Sequence, residues 1–297
     1  MLDYAHLAAL AAVVRTGSFE KAGQRLNITP SAVSQRIKLL EERLGAVLVV
    51  RGQPCVATKA GQRLCRHFEE VSLLESTLQG DFGALMPTGA PARLRIAVNA
   101  DSLATWFIDA MAGAGDGLLF DLVVDDEGNS AEWLRRGEVG AAVTANAGPV
   151  QGCSVRALGA LRYLATASPQ YAQRWFSEGV GEAQLSHAPC LVFSATDELQ
   201  TRWAAGIVGR PLTMPSHWLP ATQAFVDAAL AGLGWGMNPE PLVRRHIALG
   251  RLVELVPGRT LDVPLHWQWS RSLEPVLENV TAAVVTAAAD WLVETNE

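Results

Sequence analysis

Ser31, Ser34, Gln35 and Lys38 fall within eight residues of one another and have the side chains that read nucleic acid. Glutamine can pair bidentately with adenine, serine serves a base edge or a phosphate, and lysine suits guanine or phosphate. To act together they must share one face of one element. A helix entered through Thr29-Pro30 arranges this, because threonine caps a first turn and proline suits the first helical position, where its missing N–H would have no partner. At about 100° per residue, Val33, Ile37, Leu40 and Leu44 form an apolar stripe expected to be core. Ser31, Gln35 and Lys38 then lie roughly 160°, 200° and 140° away, with Ser34 on the flank. The solvated face of an ordinary helical hairpin would show the same pattern, and periodicity alone leaves both readings open.

The surrounding sequence supplies the elements that would hold such a face. Leu7, Leu10, Ala11 and Val14 repeat at helical spacing, and Thr16-Gly17-Ser18 ends that helix. FEKAGQRL (19–26) predicts a short second helix capped by Ser18, with Gly23 where a close approach is possible. Gly45 closes the third helix. VLVV (47–50) and CVAT (55–58) read as a two-stranded hairpin carrying Arg51 at its turn, a wing that can press against a nucleic-acid backbone. Two short helices, a tight turn and a polar-faced third helix make a helix-turn-helix. From Thr58 a long helix is expected to about Gln79, with Leu64, Phe68, Val71, Leu74 and Leu78 averaging a 3.5-residue interval. Either a second copy of the chain or the chain's own body would cover that seam.

Charge divides the chain the same way. Residues 1–66 hold ten Lys/Arg against four Asp/Glu and all three lysines, a balance of +6, whereas the whole chain is at -6. A basic head on an acidic body calls for a polyanion partner for the head and something else for the body.

Beyond a Gly/Pro/Ala-rich stretch between Gln79 and Arg93, strand-like runs alternate with helical ones: LRIAV (94–98), LFDLVV (119–124), GAAVTA (140–145), LRYLATA (161–167), CLVFS (190–194), GWGMN (234–238) and LHWQWS (265–270). Helices are expected from about Ser102, Ser130 and residue 273. Such alternation predicts parallel sheets covered by helices, and some 200 residues suggest two α/β subdomains. Ligands of such folds sit at strand C-terminal ends against helix N-termini. One such place is Asn99, Asp101 and Ser102, where backbone N–H groups would suit a carboxylate. A second is Asp125, Asp126 and Glu127, either a solvated loop or a wall for a cationic ligand. Thr144 and Thr222 are added by position, and Trp235 is expected in the core.

Other classes receive little support. The four cysteines show no C-x-x-C pairing and no nearby histidine in metal-ligand spacing, so no metal site or disulfide framework is expected. LAALAAVV (7–14) follows Asp3 where a targeting sequence would be basic, and is read as a core helix; no apolar run is long enough to span a membrane. GLGWGMN (232–238) follows a helix and enters a strand, the reverse of a dinucleotide loop. The six histidines are scattered, with no H-E-x-x-H and no G-x-S-x-G, so the expectation is a non-enzymatic protein without cofactor.

The run SFEKAGQRLNITPSAVSQRIKLLEERLGAVLVVRGQPCVATKAGQRL resembles the N-terminal domain of LysR-type transcriptional regulators, from S-F-x-x-A through S-x-x-I-x-x-L-E-x-x-L-G to the wing and T-x-x-G. Thr29-Pro30 stands where many relatives have Ser-Gln, and Val49-Val50-Arg51 where Leu-Phe-x-Arg is usual. SAVSQRIK, AVNADSLATW (97–106) and LRRGEV (134–139) are similar to the arginine/lysine-responsive branch, the ArgP and LysG regulators. The resemblance implies a winged helix-turn-helix at 1–58, a dimerisation helix and hinge at 59–91, and two periplasmic-binding-protein-like effector subdomains, 92–164 with 265–297 and 165–264. It further implies a cytoplasmic homodimer or homotetramer on an interrupted DNA palindrome. Ser31, Ser34, Gln35 and Lys38 would read the major groove, with Arg36 and Arg51 on phosphate. A basic amino acid, lysine or arginine, would be the effector, and amino-acid export the regulated process. A LysR-type regulator for another effector and a solute-binding module without DNA use are the alternatives.

Overall fold

The computed structural model describes residues 2–82, 92–125 and 130–295, with side chains of 76–82 set aside. Residues 1–94 with 117–119 form one compact unit, the head; residues 95–116 with 120–297 form a second, the body.

The head follows from local chemistry. Helix α1 (Tyr4–Thr16) starts where Asp3 accepts a hydrogen bond from the Ala5 N–H and ends at Gly17, whose φ of 67° only glycine adopts without strain. Helix α2 (Phe19–Leu26) is capped by Ser18, and Asn27 ends it in the left-handed region. Gly23 does permit a close approach, but to the turn: a Cβ there would lie 2.8 Å from the Ile28 carbonyl oxygen. Helix α3 (Pro30–Leu44) has Thr29 as its N-cap, accepting from Ala32 N–H, and Gly45 as its C-cap. Leu7, Leu10, Val33, Ile37, Leu40 and Leu48 are almost wholly buried together. Each such side chain contributes about 1.5–3 kcal/mol through removal from water. The stripe on α3 stops short of the expected end, because Leu44 is 42% exposed beside the capping glycine.

The hairpin is shorter than the sequence suggests: β1 (Val49–Val50) pairs antiparallel with β2 (Val56–Ala57). Thr58 Oγ1 donates to the Val47 carbonyl and accepts from Gly61 N–H, which starts α4 (Lys59–Phe82). Leu64 and Phe68 of the expected seam pack on the head's own core. Further along, Leu73 is buried while Leu74 is 38% exposed, so the seam is not one continuous stripe; Leu78 is outside the described side chains. The predicted linker also begins later, since α4 runs to Phe82 and residues 83–91 lie outside the description.

The body is built on two long strands. In chain order it contains β3 (Ala92–Val98), α5 (Ala100–Ala104), α6 (Phe107–Gly113), β4 (Leu118–Val124), α7 (Ser130–Arg135), β5 (Ala141–Thr144) and β6 (Cys153–Ala167). There follow α8 (Pro169–Phe176), α9 (Glu182–Leu185), β7 (Cys190–Val192), α10 (Leu199–Val208), β8 (Ser216–Trp218) and α11 (Thr222–Leu230). The chain ends with β9 (Gly236–Pro239), α12 (Glu240–Ala248), β10 (Val253–Glu254), β11 (Thr260–Ser270) and α13 (Glu274–Trp291). Strands β6 and β11 pair antiparallel from Leu164↔Thr260 to Cys153↔Ser270, with an irregularity at Leu265/His266. Strand β5 joins the Ser270 end of the ladder, and β9 and β10 join the Ala167 end. Separate apolar clusters fill the two ends, one around Ala97, Leu134 and Val139, the other around Leu191, Phe225 and Val243.

This corrects the expectation of parallel sheets. The large sheet is mixed: β3 and β5 are parallel, whereas every pairing of β6, β9, β10 and β11 is antiparallel. Both long strands start earlier than their apolar runs, at Cys153 and Thr260. Ion pairing helps hold them, as Arg162 donates two 2.8 Å hydrogen bonds to the Asp262 carboxylate in the facing register. The helix expected from Ser102 begins at Ala100 and breaks at Thr105 into two short pieces. Trp235 is fully buried, 5.2 Å from the Trp203 ring.

Gly61 gives the head a point to test. A Cβ there would lie 2.1 Å from the Leu48 carbonyl oxygen, a backbone atom that cannot yield, whereas Gly45 has open space around it. Gly61→Ala is expected to destabilise the head by about 1–3 kcal/mol in urea unfolding. Unchanged stability would mean that α4 does not seat against the wing.

Candidate functional sites

On the head, α3 presents Ser31, Gln35 and Lys38 to solvent, with Ser34 half-exposed beside them and Arg36 on the half-buried flank. The Ser31 hydroxyl is 2.9 Å from that of Thr29, which ties Ser31 to the cap. Lys38 Nζ lies 3.6 Å from Glu42, an exposed pair that water screens strongly. Arg51, from the wing, stacks 5.1 Å from the centre of the Phe19 ring and its guanidinium donates to Ser34 Oγ at 3.4 Å. Wing and helix are joined more firmly behind this face, where Glu41 Oε1 accepts from the Leu48 and Val49 N–H groups at 2.8 and 3.3 Å. The head therefore brings Ser31, Ser34, Gln35, Lys38 and Arg51 into one surface, and Arg36 borders it.

In the body, a cavity of about 250 Å³ opens among strand ends and helix starts. Asn99, Asp101 and Thr222 of the expected effector residues line it. Asp101 is its polar centre. Its Oδ2 accepts from the Tyr163 hydroxyl and its Oδ1 from the Thr222 hydroxyl, both at 2.6 Å. The carboxylate thus joins α5, the long strand β6 and the first residue of α11. Asn99 caps α5 by position and is 2% exposed, yet its side chain makes no capping bond and its Oδ1 has no hydrogen-bond partner.

Of the remaining expected residues, those that are described do not line the cavity. Ser102 is fully buried, outside the cavity lining, and its hydroxyl has no hydrogen-bond partner. Thr144 is also buried; it accepts from Asn146 N–H, and Ala145 lines the cavity instead. Asp125 accepts from the Trp133 indole at 2.8 Å and is not part of the lining, while Asp126 and Glu127 lie outside the described residues.

Sequence reasoning missed a second wall. The loop after β7 carries Thr196, Asp197 and Glu198 into the cavity, followed by Arg202 on α10. Asp197 shapes that loop by accepting from Phe193 and Leu199 N–H at 2.9 and 3.0 Å. Asn238, on β9, is fully buried; its amide nitrogen donates to Thr166 Oγ1 at 3.0 Å, and its Oδ1 has no hydrogen-bond partner. Phe193, Phe225, Met237 and Val263 supply apolar lining. The strand-end rule that selected Asn99 also points to the SATDEL turn after CLVF; Asn238 needed the sheet order. Among the described residues the lining has three carboxylates, Asp101, Asp197 and Glu198, against one guanidinium, Arg202. This suits a small polar ligand with net positive charge.

Below this second wall, burial pushes the Cys190 thiol up to about 12 and raises the Tyr171 phenol, whose hydroxyl donates to the Pro189 carbonyl. Neither group is prepared for chemistry. Among the described residues, no three His, Cys, Asp or Glu side chains converge as a metal would require, and no helix is long and apolar enough to cross a membrane.

The link between Asp101 and Thr222 has a measurable weight. A double-mutant cycle with Asp101→Asn and Thr222→Val, read by thermal unfolding without ligand, is expected to give a coupling of about 1–2 kcal/mol. A coupling near zero would deny that this contact holds α11 to α5.

Comparison with known proteins places both surfaces in context. Residues 4–62 match the model of the bacterial regulatory helix-turn-helix protein, lysR family, and residues 88–289 match the LysR substrate binding domain. The HTH-type transcriptional regulator ArgP of Pseudomonas fluorescens (strain Pf0-1) is 44% identical over 295 residues, 99% of each chain. The regulator LysG of Mycobacterium tuberculosis (strain ATCC 25618 / H37Rv) is 46% identical over 288 residues, covering 97% of this chain and 94% of that one. Among solved structures, ArgP from Mycobacterium tuberculosis superposes with a TM-score of 0.80 at 44% identity, covering 99% of this chain and 100% of that one. Full-length LysG from Corynebacterium glutamicum with bound effector Arg has a TM-score of 0.66 at 35% identity, with 98% and 100% covered.

Proposed function

We propose, from the premise that this chain belongs to the lysR family of bacterial helix-turn-helix regulators, that it is a DNA-binding transcriptional regulator whose effector is a basic amino acid. The observation that carries the choice of effector is the cavity lining, three carboxylates to one guanidinium. Lysine or arginine matches a lining richer in carboxylates than in cations, which a neutral amino acid does not. The arginine-bound LysG of Corynebacterium glutamicum supports this reading, since it is similar over nearly its whole length. Control of amino-acid export or metabolism is the corresponding role, exercised in the cytoplasm.

On DNA, Gln35 with Ser31 and Ser34 reads base edges in the major groove, Lys38 adds a base or phosphate contact, and Arg36 and Arg51 hold phosphate. The packing of Arg51 against Ser34 supports this division, because it sets the wing beside the polar side of α3. The target is an interrupted palindrome bound by two or four copies, paired through α4. The body then comprises two effector lobes, 92–164 with 265–297 and 165–264, meeting at the β6–β11 ladder. Regulation is a linkage: the effector changes DNA binding only as far as it binds two arrangements of the assembly with different affinity.

Two measurements test the reading. Calorimetric titration of the full chain should give binding of lysine or arginine and at least tenfold weaker binding of leucine; equal binding would remove the charge argument. In gel shifts against the region upstream of its own gene, Lys38→Ala should weaken binding and reduce the salt slope by about one unit if Lys38 meets phosphate. An unchanged slope, with affinity lost on some sequences only, assigns Lys38 to base readout.

A further inference from the structure

Arg51 is exposed, yet its side chain is held from two directions. The guanidinium carbon lies 5.1 Å from the centre of the Phe19 ring, and Nη2 donates to Ser34 Oγ at 3.4 Å. Phe19 is the first residue of α2 and Ser34 lies on α3, so one side chain of the wing touches both helices of the helix-turn-helix. The backbone around Arg51 is fixed as well. Val50, before it, pairs with Val56, and beyond the turn the Cys55 N–H donates to the Gly17 carbonyl at 2.9 Å. A Cβ on Gly17 would lie 2.8 Å from Pro54 Cβ, so the tip of the wing rests on the turn that precedes Phe19. Phe19 itself is half-buried: it packs against the core of the head and also carries Arg51.

From this we infer that Phe19 is a positioning residue for DNA binding: its ring holds the Arg51 guanidinium ready for a phosphate, and it makes no DNA contact of its own. A long, flexible side chain loses rotamer freedom when a partner orders it, and a guanidinium already laid on a ring loses less. The planar group meets the ring while the N–H donors on its edge, the ones that suit a phosphate, stay available. The attraction between cation and ring also strengthens when a bound duplex excludes water from it. Ser34 gives up nothing by its part in the contact. A hydroxyl that accepts from Arg51 keeps its own proton to donate to a base edge or a phosphate. If Arg51 only shielded the ring from water with its stem, the contact would matter to the stability of the head and not to its affinity for DNA.

The inference rests on the reading of Arg51 as a phosphate contact, and its test separates the two. Full-length wild type, Phe19→Leu, Arg51→Ala and the double variant are titrated with the duplex from upstream of the protein's own gene at several salt concentrations, and each is unfolded in urea. Arg51→Ala should weaken binding and lower the salt slope by about one unit. Phe19→Leu keeps an apolar side chain on the core but removes the ring. It should weaken binding roughly 3- to 30-fold with Arg51 present and less than about twofold in the Arg51→Ala background. Phe19→Tyr, which keeps a ring, should bind within about twofold of wild type. An equal loss from Phe19→Leu in both backgrounds, or no loss in either, would reduce Phe19 to packing and overturn the inference alone. Unchanged affinity and slope in Arg51→Ala would overturn the phosphate reading together with it. Where Phe19→Leu unfolds too readily to titrate, magnetic resonance of the wild type decides: the Arg51 side-chain protons should be shifted upfield by the Phe19 ring both free and on the duplex. Protons that lose this shift on the duplex would show that the ring does not hold Arg51 there, and would overturn the inference.

Discussion

The antiparallel ladder between β6 and β11 is the constraint on which the body depends. Its partners are about a hundred residues apart in sequence, as the Arg162–Asp262 pair illustrates, so closing it costs chain entropy that only long-range packing repays. Once closed, it fixes everything around the cavity. Strand β5 is added at one end, β9 and β10 at the other, and separate apolar cores fill beneath each. Tyr163 sits on this ladder, fully buried, and its hydroxyl positions Asp101. The polar centre of the cavity is therefore referenced to the most extensively paired strand in the molecule.

The head was legible in the sequence almost residue by residue, because its determinants are local. Ser18, Thr29 and Gly45 act within one turn of where they stand, and helical periodicity placed Val33, Ile37 and Leu40 in the core. Its one failure on α3, Leu44, comes at a helix end, where periodicity no longer implies a neighbour. The body was legible as an alternation of strands and helices but not as a sheet. Strand direction depends on which distant segment supplies the hydrogen bonds, and nothing in LRYLATA or LHWQWS names the other as an antiparallel partner.

The same division applies to the cavity. Asn99, Asp101 and Thr222 were reachable from position alone, because strand ends and helix starts can be read locally. Asn238 was not: its place in the lining follows from the burial of β9 beside β6. Asp125 is the converse case. An acidic run after a strand looks like a ligand wall, yet this carboxylate is engaged by the Trp133 indole. Composition showed the body to be acidic, while folding decided which carboxylates reach the cavity.

Glu41 lies on the helix assigned to the groove, where a negative charge would ordinarily oppose the approach of phosphate. Its carboxylate is turned instead onto two main-chain amides at the base of the hairpin. Firmness of the wing and compatibility with a polyanion are consequently the same contact. Any motion that loosened the hairpin would also release an anion near the nucleic acid, so a slack wing is penalised twice, once in lost hydrogen bonds and once in electrostatic repulsion.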